Sequence, residues 1–287
     1  MRVNSIESDV YVLDQEAAID ETLRDARMNL VKTVRTPIGD DCYEETLDNE
    51  DLLPDHGTER PPTVKSFQSR VGTSRQTHRS SFRDWNLAKR IVRYLKGKKT
   101  LELHMVAEPN TRTPLNLATF SDADFASDKA DRNSLTEAVV ELNGMLVSWI
   151  CKKKGGVSLS TMEAELVVAS DAARELLGVR ELLQELGLPI VTLMSMMVDN
   201  QAAIKKLEGE SSSARAKHID IRVKFVCVQA RRGAIIPNCV PSNKVIAVIL
   251  AKALDPHRLD SLRTLVSLQL PQHGREGVLE GDGKWST

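Results

Sequence analysis

Cysteine is scarce in this chain of 287 residues. The four present, Cys42, Cys151, Cys227 and Cys239, show no CxxC spacing. That argues against a metal or disulfide role and for reduced thiols in an intracellular protein, cytoplasmic or nuclear. No apolar run reaches the ~18 residues of a membrane span, so no membrane partner is expected. The opening Met1 to Asp9 lacks the apolar core of a signal peptide. Aromatics are sparse at 4%. What is present is 41% hydrophobic residues, enough for a packed core in one large or two modest domains.

A net charge of −1 hides a split. Residues 1–60 hold sixteen Asp and Glu against six Lys and Arg, whereas 65–100 hold eleven Lys and Arg against one acid, Asp84. The basic stretch is a candidate phosphate-facing surface, with Lys89, Arg90 and Arg93 on one helix face. The plain alternative is a solvated helix face. Lys152, Lys153 and Lys154 form a second candidate, with a solvated strand end as its alternative.

Prolines and glycines among acids mark 36–64 as a linker. Residues 15–33 have helical character. Ser81 is placed to cap a helix that ends at Gly97. From 114 the pattern changes. Residues 114–122, 136–142 and 145–151 read as strands, the last two joined at Asn143-Gly144. A helix from Thr161 to Leu186 stops at Gly187. Val191 to Val198 reads as a strand buried on both faces. Asp199 closes it and is placed to cap the helix 201–207. A helix over 218–232 ends at Gly233, a strand covers 234–240, and a final helix runs from about Asn243 to Leu254. Meander, then alternating helix and strand, describes an α/β domain with a mixed sheet.

Three carboxylates stand at the edges of these apolar segments: Asp122, Glu165 and Asp199. Acids so placed suit divalent cations, which need several hard oxygen donors. On its helix Glu165 shares a stripe with Ala169, Ala172 and Leu176, while Glu163 lies about 200° away. An acid on a sheet-facing stripe calls for compensation, which a cation provides. A Glu favoured by the helix dipole is the alternative there, and a plain N-cap is the alternative for Asp199. Asp122 and Asp124 share strand parity, so pattern does not separate them.

Several words in order carry a family resemblance. They are Trp85-Asn-Leu-Ala-Lys-Arg-Ile-Val-Arg-Tyr-Leu-Lys-Gly97, Ser121-Asp-Ala-Asp-Phe-Ala126, Val147-Ser-Trp-Ile-Cys-Lys-Lys153, Val157-Ser-Leu-Ser-Thr-Met-Glu-Ala-Glu165, Val198-Asp-Asn-Gln-Ala-Ala-Ile204, Lys217-His-Ile-Asp-Ile-Arg222 and Ala251-Lys-Ala-Leu254. Together they resemble the ribonuclease H region of copia-type LTR-retrotransposon Pol polyproteins. Tyr11 to Asp20 and Val34 to Pro37 are similar to the segment after the polymerase palm. No Tyr-x-Asp-Asp motif occurs, so DNA synthesis is not expected. Between Phe67-Gln-Ser-Arg-Val-Gly72 and Ser74-Arg-Gln-Thr-His78 a family segment is missing.

The resemblance implies a ribonuclease H-like mixed five-stranded sheet flanked by helices, with a partly disordered N-terminal remnant. The implied divisions are 1–80, a truncated polymerase remnant and acidic linker; 81–112, a basic helix and strand; 113–256, the ribonuclease H-like domain; and 257–287, a tail. It implies Asp122, Glu165 and Asp199 as catalytic, metal-holding residues. The cofactor is Mg²⁺, with Mn²⁺ as an alternative. The partners are an RNA–DNA hybrid and the rest of the polyprotein. The family's fourth acid falls at Val248, which cannot ligate a cation, and Asp255 is too far along to replace it. His218 matches a family word as a packing or capping residue. The implied activity is hybrid hydrolysis impaired at Val248. A catalytically dead remnant that binds nucleic acid non-specifically is the alternative.

Overall fold

The computed structural model describes residues 1–7, 9–38, 53, 81–106, 113–127, 132–208 and 217–271. Most of the acidic linker, the basic residues 65–80, the words at 67–78, Cys42 and the side chain of His218 lie outside the described residues. Two units emerge: Met1–Ile6, Tyr11–His104 and Leu268–Thr287 form one, and Glu7–Val10 and Met105–Ser267 the other.

In the first unit, β1 (Arg2–Glu7), β2 (Val10–Asp14), β3 (Glu102–Val106) and the two-residue β9 (Leu268–Gln269) line up as a sheet in the order β1-β2-β3-β9. Helix α1 (Glu16–Asp25) follows β2, and α2 (Phe82–Lys98) precedes β3. Ser81 caps α2 as expected. Its hydroxyl accepts from the Asp84 N–H and the Asp84 carboxylate accepts from the Ser81 N–H, a reciprocal capping box. Gly97 does not end the helix, which continues to Lys98. A Cβ at 97 would stand 3.0 Å from Thr33, so the glycine serves close packing there rather than termination.

The second unit is built on a five-stranded sheet in the order β6-β5-β4-β7-β8. Its strands are β4 (Leu117–Asp124), β5 (Leu135–Leu142), β6 (Met145–Lys153), β7 (Met194–Val198) and β8 (Ile235–Cys239). The first three run antiparallel as a meander, whereas β7 and β8 run parallel to β4. Asn143 and Gly144, at φ 51° and 78°, turn β5 into β6 with the two left-handed residues a tight hairpin needs. Helix α3 (Thr161–Glu185), capped by Ser160, ends before Gly187 at φ 75°. Its Leu166, Ala169, Ala173 and Leu176 pack with Leu117, Met194, Met196 and Val198 into the main core. Helices α4 (Gln201–Leu207) and α5 (Lys217–Arg231) connect β7 to β8. This is the mixed sheet flanked by helices that the sequence implies.

Two expectations fail locally. Strand β7 alternates buried and half-buried residues instead of being buried on both faces. The helix expected over 243–254 is replaced by two 3₁₀ turns, Ser242–Lys244 and Ile246–Leu250. Val245 is extended between them at φ −75°, ψ 108°. Val245, out of the helical region between the two turns, is where a continuous helix is interrupted. The true helix, α6 (Pro256–Leu265), starts at Asp255-Pro256, a capping aspartate followed by proline at the first helical position.

Candidate metal centre

Ser121 on β4 pairs in parallel register with Val198 on β7. One residue further along each strand stand Asp122 and Asp199, so two acids leave adjacent strands side by side. Neighbouring strands lie only ~4.8 Å apart. Glu165 arrives from the buried stripe of α3, 6% exposed, beside Ala164, Ala169, Ala172 and Leu176 at 0%. Its Oε1 accepts from the Ala123 N–H at 3.2 Å, which fixes the side chain at the carboxyl end of β4. Glu163 is turned away, and its carboxylate accepts from the Leu159 N–H at 2.9 Å. One oxygen from each of Asp122, Glu165 and Asp199 lies within 4.8 Å of the others.

Parity left Asp122 and Asp124 equal, but the fold separates them: Asp122 is 1% exposed and Asp124 is half-buried. The cap expected of Asp199 is made by Asn200, whose Oδ1 accepts from the Ala203 N–H at 3.0 Å. Asp199 is thereby left to the acid cluster. Asp255 caps α6 by accepting from His257 and Arg258 at 2.9 and 3.0 Å. It therefore does not stand in for the missing acid. Val248 is buried at 6% exposure on a 3₁₀ turn that packs against β4 and β5.

Two site residues escaped the sequence reading. Lys252 places its Nζ 2.6 Å from Asp122 Oδ2. Glu137 is the antiparallel register partner of Asp122 on β5 and is 0% exposed. The only signal for Glu137 was an acid inside an otherwise apolar strand. Lys252 lies in the family word Ala251-Lys-Ala-Leu254, but nothing in that word pointed to a pairing with Asp122.

Burial, and then the charges of Asp122 and Asp199, push Glu165 up to about 8. Burial and then Asp122 push Glu137 up to about 8 as well. Asp122 is raised because burial outweighs its bond to Lys252. Burial draws the Lys252 ammonium down, yet Asp122 more than offsets it and the net shift is upward. Glu165 Oε2 and both oxygens of Glu137 are buried without a hydrogen-bond partner. Buried carboxyl oxygens without a partner fit a hard divalent cation such as Mg²⁺ or Mn²⁺, which would hold them in the ionised form.

The candidate phosphate-binding cations are differently employed. Lys152 pairs with the buried Asp171 at 3.2 Å. Lys154 donates to the Ala164 carbonyl at 2.6 Å, and burial pulls its ammonium down to about 8. Lys153 is exposed at the end of β6. In the first unit Arg93 donates to the Lys32 carbonyl at 2.7 Å and Arg90 to the Thr36 hydroxyl at 3.4 Å. Lys89, on the same helix, is half-buried.

The retrovirus-related Pol polyprotein from transposon RE2 of Arabidopsis thaliana is 31% identical over 242 residues, 80% of this chain and 16% of that polyprotein. The Pol polyprotein from transposon TNT 1-94 of Nicotiana tabacum is 29% identical over 184 residues, 64% of this chain and 13% of that one. This chain is a relative of plant transposon Pol polyproteins. It spans less than a fifth of the length of either Pol relative. No protein-family model matches the Pol-related chain. Among solved structures, an N-terminal RNase H domain from Mycobacterium tuberculosis superposes with TM-score 0.35 and 13% identity, over 52% of this chain and 97% of that one. The strand order β6-β5-β4-β7-β8, antiparallel then parallel, is a mixed five-stranded sheet of the kind that the sequence resemblance implies. Among the described residues no helix is long and apolar enough to cross a membrane.

Proposed function

We propose that this chain carries the ribonuclease H activity of a copia-type retrotransposon Pol polyprotein, hydrolysing the RNA strand of RNA–DNA hybrids inside the cell, in cytoplasm or nucleus. The observation that carries the reading is the meeting of Asp122, Glu165 and Asp199 within 4.8 Å, from two strand ends and a helix. These three side chains would hold the cation, with Asp122 central and Glu165 and Asp199 on the leaving-group side. When bound, Mg²⁺ or Mn²⁺ lowers the pKa of an attacking water and stabilises the departing 3′ oxygen. The chain's own contribution is position: the parallel register sets Asp122 against Asp199, and the Ala123 N–H orients Glu165. The hybrid is read through its shape and 2′-hydroxyls, with Lys153, exposed at the end of β6, as the leading candidate backbone contact. The rest of the polyprotein is the natural partner.

Two observations favour a second reading, a weak or dead enzyme. Val248 brings an apolar side chain to the turn over β4 and β5, and Lys252 already pairs with Asp122 at 2.6 Å. The test is cleavage of a labelled hybrid in Mg²⁺ and in Mn²⁺ by the chain, by Asp122→Asn and by Val248→Asp. The proposed enzyme cleaves slowly, gains rate with Val248→Asp and loses all activity with Asp122→Asn. Cleavage by Val248→Asp alone identifies a dead enzyme on an intact scaffold. Absence of cleavage in all three overturns the nuclease reading.

A further inference from the structure

We propose that Glu137 is a fourth carboxylate of the metal centre, supplied by the sheet where the expected acid at Val248 is absent. This rests on the metal-centre reading above and extends it to a residue that the family words do not contain.

The argument starts from register. In the β4–β5 ladder Asp122 faces Glu137. On its other side β4 meets β7, where Asp199 follows the Ser121–Val198 pair. Glu137, Asp122 and Asp199 therefore form one row across three neighbouring strands, with Asp122 in the middle. Directly opposed residues of an antiparallel pair project to the same face, and like charges there repel. A sheet with no use for this row would place an apolar or neutral residue at 137, as it does at Ala138, Val139 and Val140.

Burial sharpens the point. Glu137 is 0% exposed and neither of its oxygens has a hydrogen-bond partner. A buried acid without a partner is costly in either protonation state. The nearby cation, Lys252, is committed to Asp122 at 2.6 Å. Lys252 thus leaves the oxygens of Glu137 without a partner of their own.

The surroundings leave Glu137 little else to do. Its β6 neighbour is Cys151, whose thiol donates to the Leu250 carbonyl at 3.7 Å. The turn Ile246–Leu250, which carries Val248, packs against β4 and β5. Glu137 stands outside the group of oxygens that closes to 4.8 Å. Its register place beside Asp122 puts it on the β5 side of the cluster, where it would share a cation with Asp122.

The test is Mn²⁺ uptake by the full chain, read by the loss of the free-ion EPR signal, together with thermal melts in EDTA and in Mn²⁺. The variants are Glu137→Gln and Asp122→Asn. The proposal expects Glu137→Gln to weaken Mn²⁺ binding about tenfold or more, or to remove one bound ion. It also expects Glu137→Gln to melt no lower than the parent in EDTA while gaining less from Mn²⁺. Unchanged Mn²⁺ binding in Glu137→Gln, with binding lost in Asp122→Asn, overturns the role of Glu137 and leaves the metal centre standing. No Mn²⁺ uptake by the parent chain overturns both. Should Glu137→Gln not fold, Glu137→Ala takes its place, since it buries no polar group. If neither variant melts cooperatively, Glu137 is architectural and the proposal fails.

Discussion

The two units treat charge in opposite ways. In the first, charged groups are answered locally: Arg2 pairs with Asp14 at 2.9 Å and Lys99 with Asp20 at 3.1 Å. Arg93 and Lys96 end on the carbonyls of Lys32 and Val31. In the second, the acids Asp122, Glu137, Glu165 and Asp199 lie close together, and Lys252 pairs with Asp122 alone among them. Charges answered by their neighbours hold a chain together. Charges left in deficit inside a dry pocket are destabilising, and their persistence marks a place made for something else to bind. The basic helix α2, the more conspicuous feature of the sequence, belongs to the first kind, and the acid row, nearly invisible in the composition, belongs to the second.

The largest expected disturbance of this contrast is Lys252→Met. Removing the one counter-charge lowers stability in EDTA by about 2 kcal/mol. That is below the full cost of breaking a buried pair, because the Lys252 side chain remains 37% exposed. Mn²⁺ affinity should rise, since the ammonium no longer competes for Asp122. Chemical denaturation in EDTA and a Mn²⁺ titration read the two effects, and lower Mn²⁺ affinity would count against Lys252 as a competitor.

The second expectation sets the units against each other by pH. Glu165 and Glu137 stand near 8 when folded, against an ordinary value of 4.5. Between those values the folded chain binds more protons than the unfolded one, so stability falls as pH rises from about 4.5 to 8. Asp14 is shifted the other way, chiefly by its hydrogen bonds from Arg2. Its contribution is present above the ordinary value of 3.8 and is lost as pH falls below it. Melts in EDTA should therefore drop between pH 5 and 8, and Glu165→Gln should flatten that slope while leaving the loss below pH 4 in place. A slope unchanged by Glu165→Gln would mean that the site acids do not set it.

The smallest effect is expected in the first unit. Arg93→Met removes one hydrogen bond to the Lys32 carbonyl and should lower stability by about 1 kcal/mol. Because Arg93 is engaged internally, salt-sensitive binding of a hybrid should change little. A large loss of binding at low salt would instead place α2 on the nucleic acid.

Much of this was legible in the chain because it depends on neighbours in sequence. Asn143-Gly144 demands left-handed backbone, Ser81 with Asp84 closes a capping box, and Gly187 and Gly233 end helices at positive φ. The stripe through Glu165, Ala169, Ala172 and Leu176 follows from helical period alone, and Glu165 rather than Glu163 is the buried acid of that helix turn. Where residues compete for the same local role, neighbours were not enough. Asn200 took the cap expected of Asp199, and two 3₁₀ turns separated by an extended Val245 replace the helix read over 243–254.

The sequence by itself determined most strands and helices of the second unit and the three acids that stand near their ends, because backbone preference and side-chain period are short-range. Only the tertiary structure decided that Asp122 and not Asp124 is buried, that Glu137 completes a row with it, and that Lys252 answers one acid out of four. Those facts depend on strand register and on which face another element covers, and register joins residues far apart in the chain through backbone hydrogen bonds that no local pattern records.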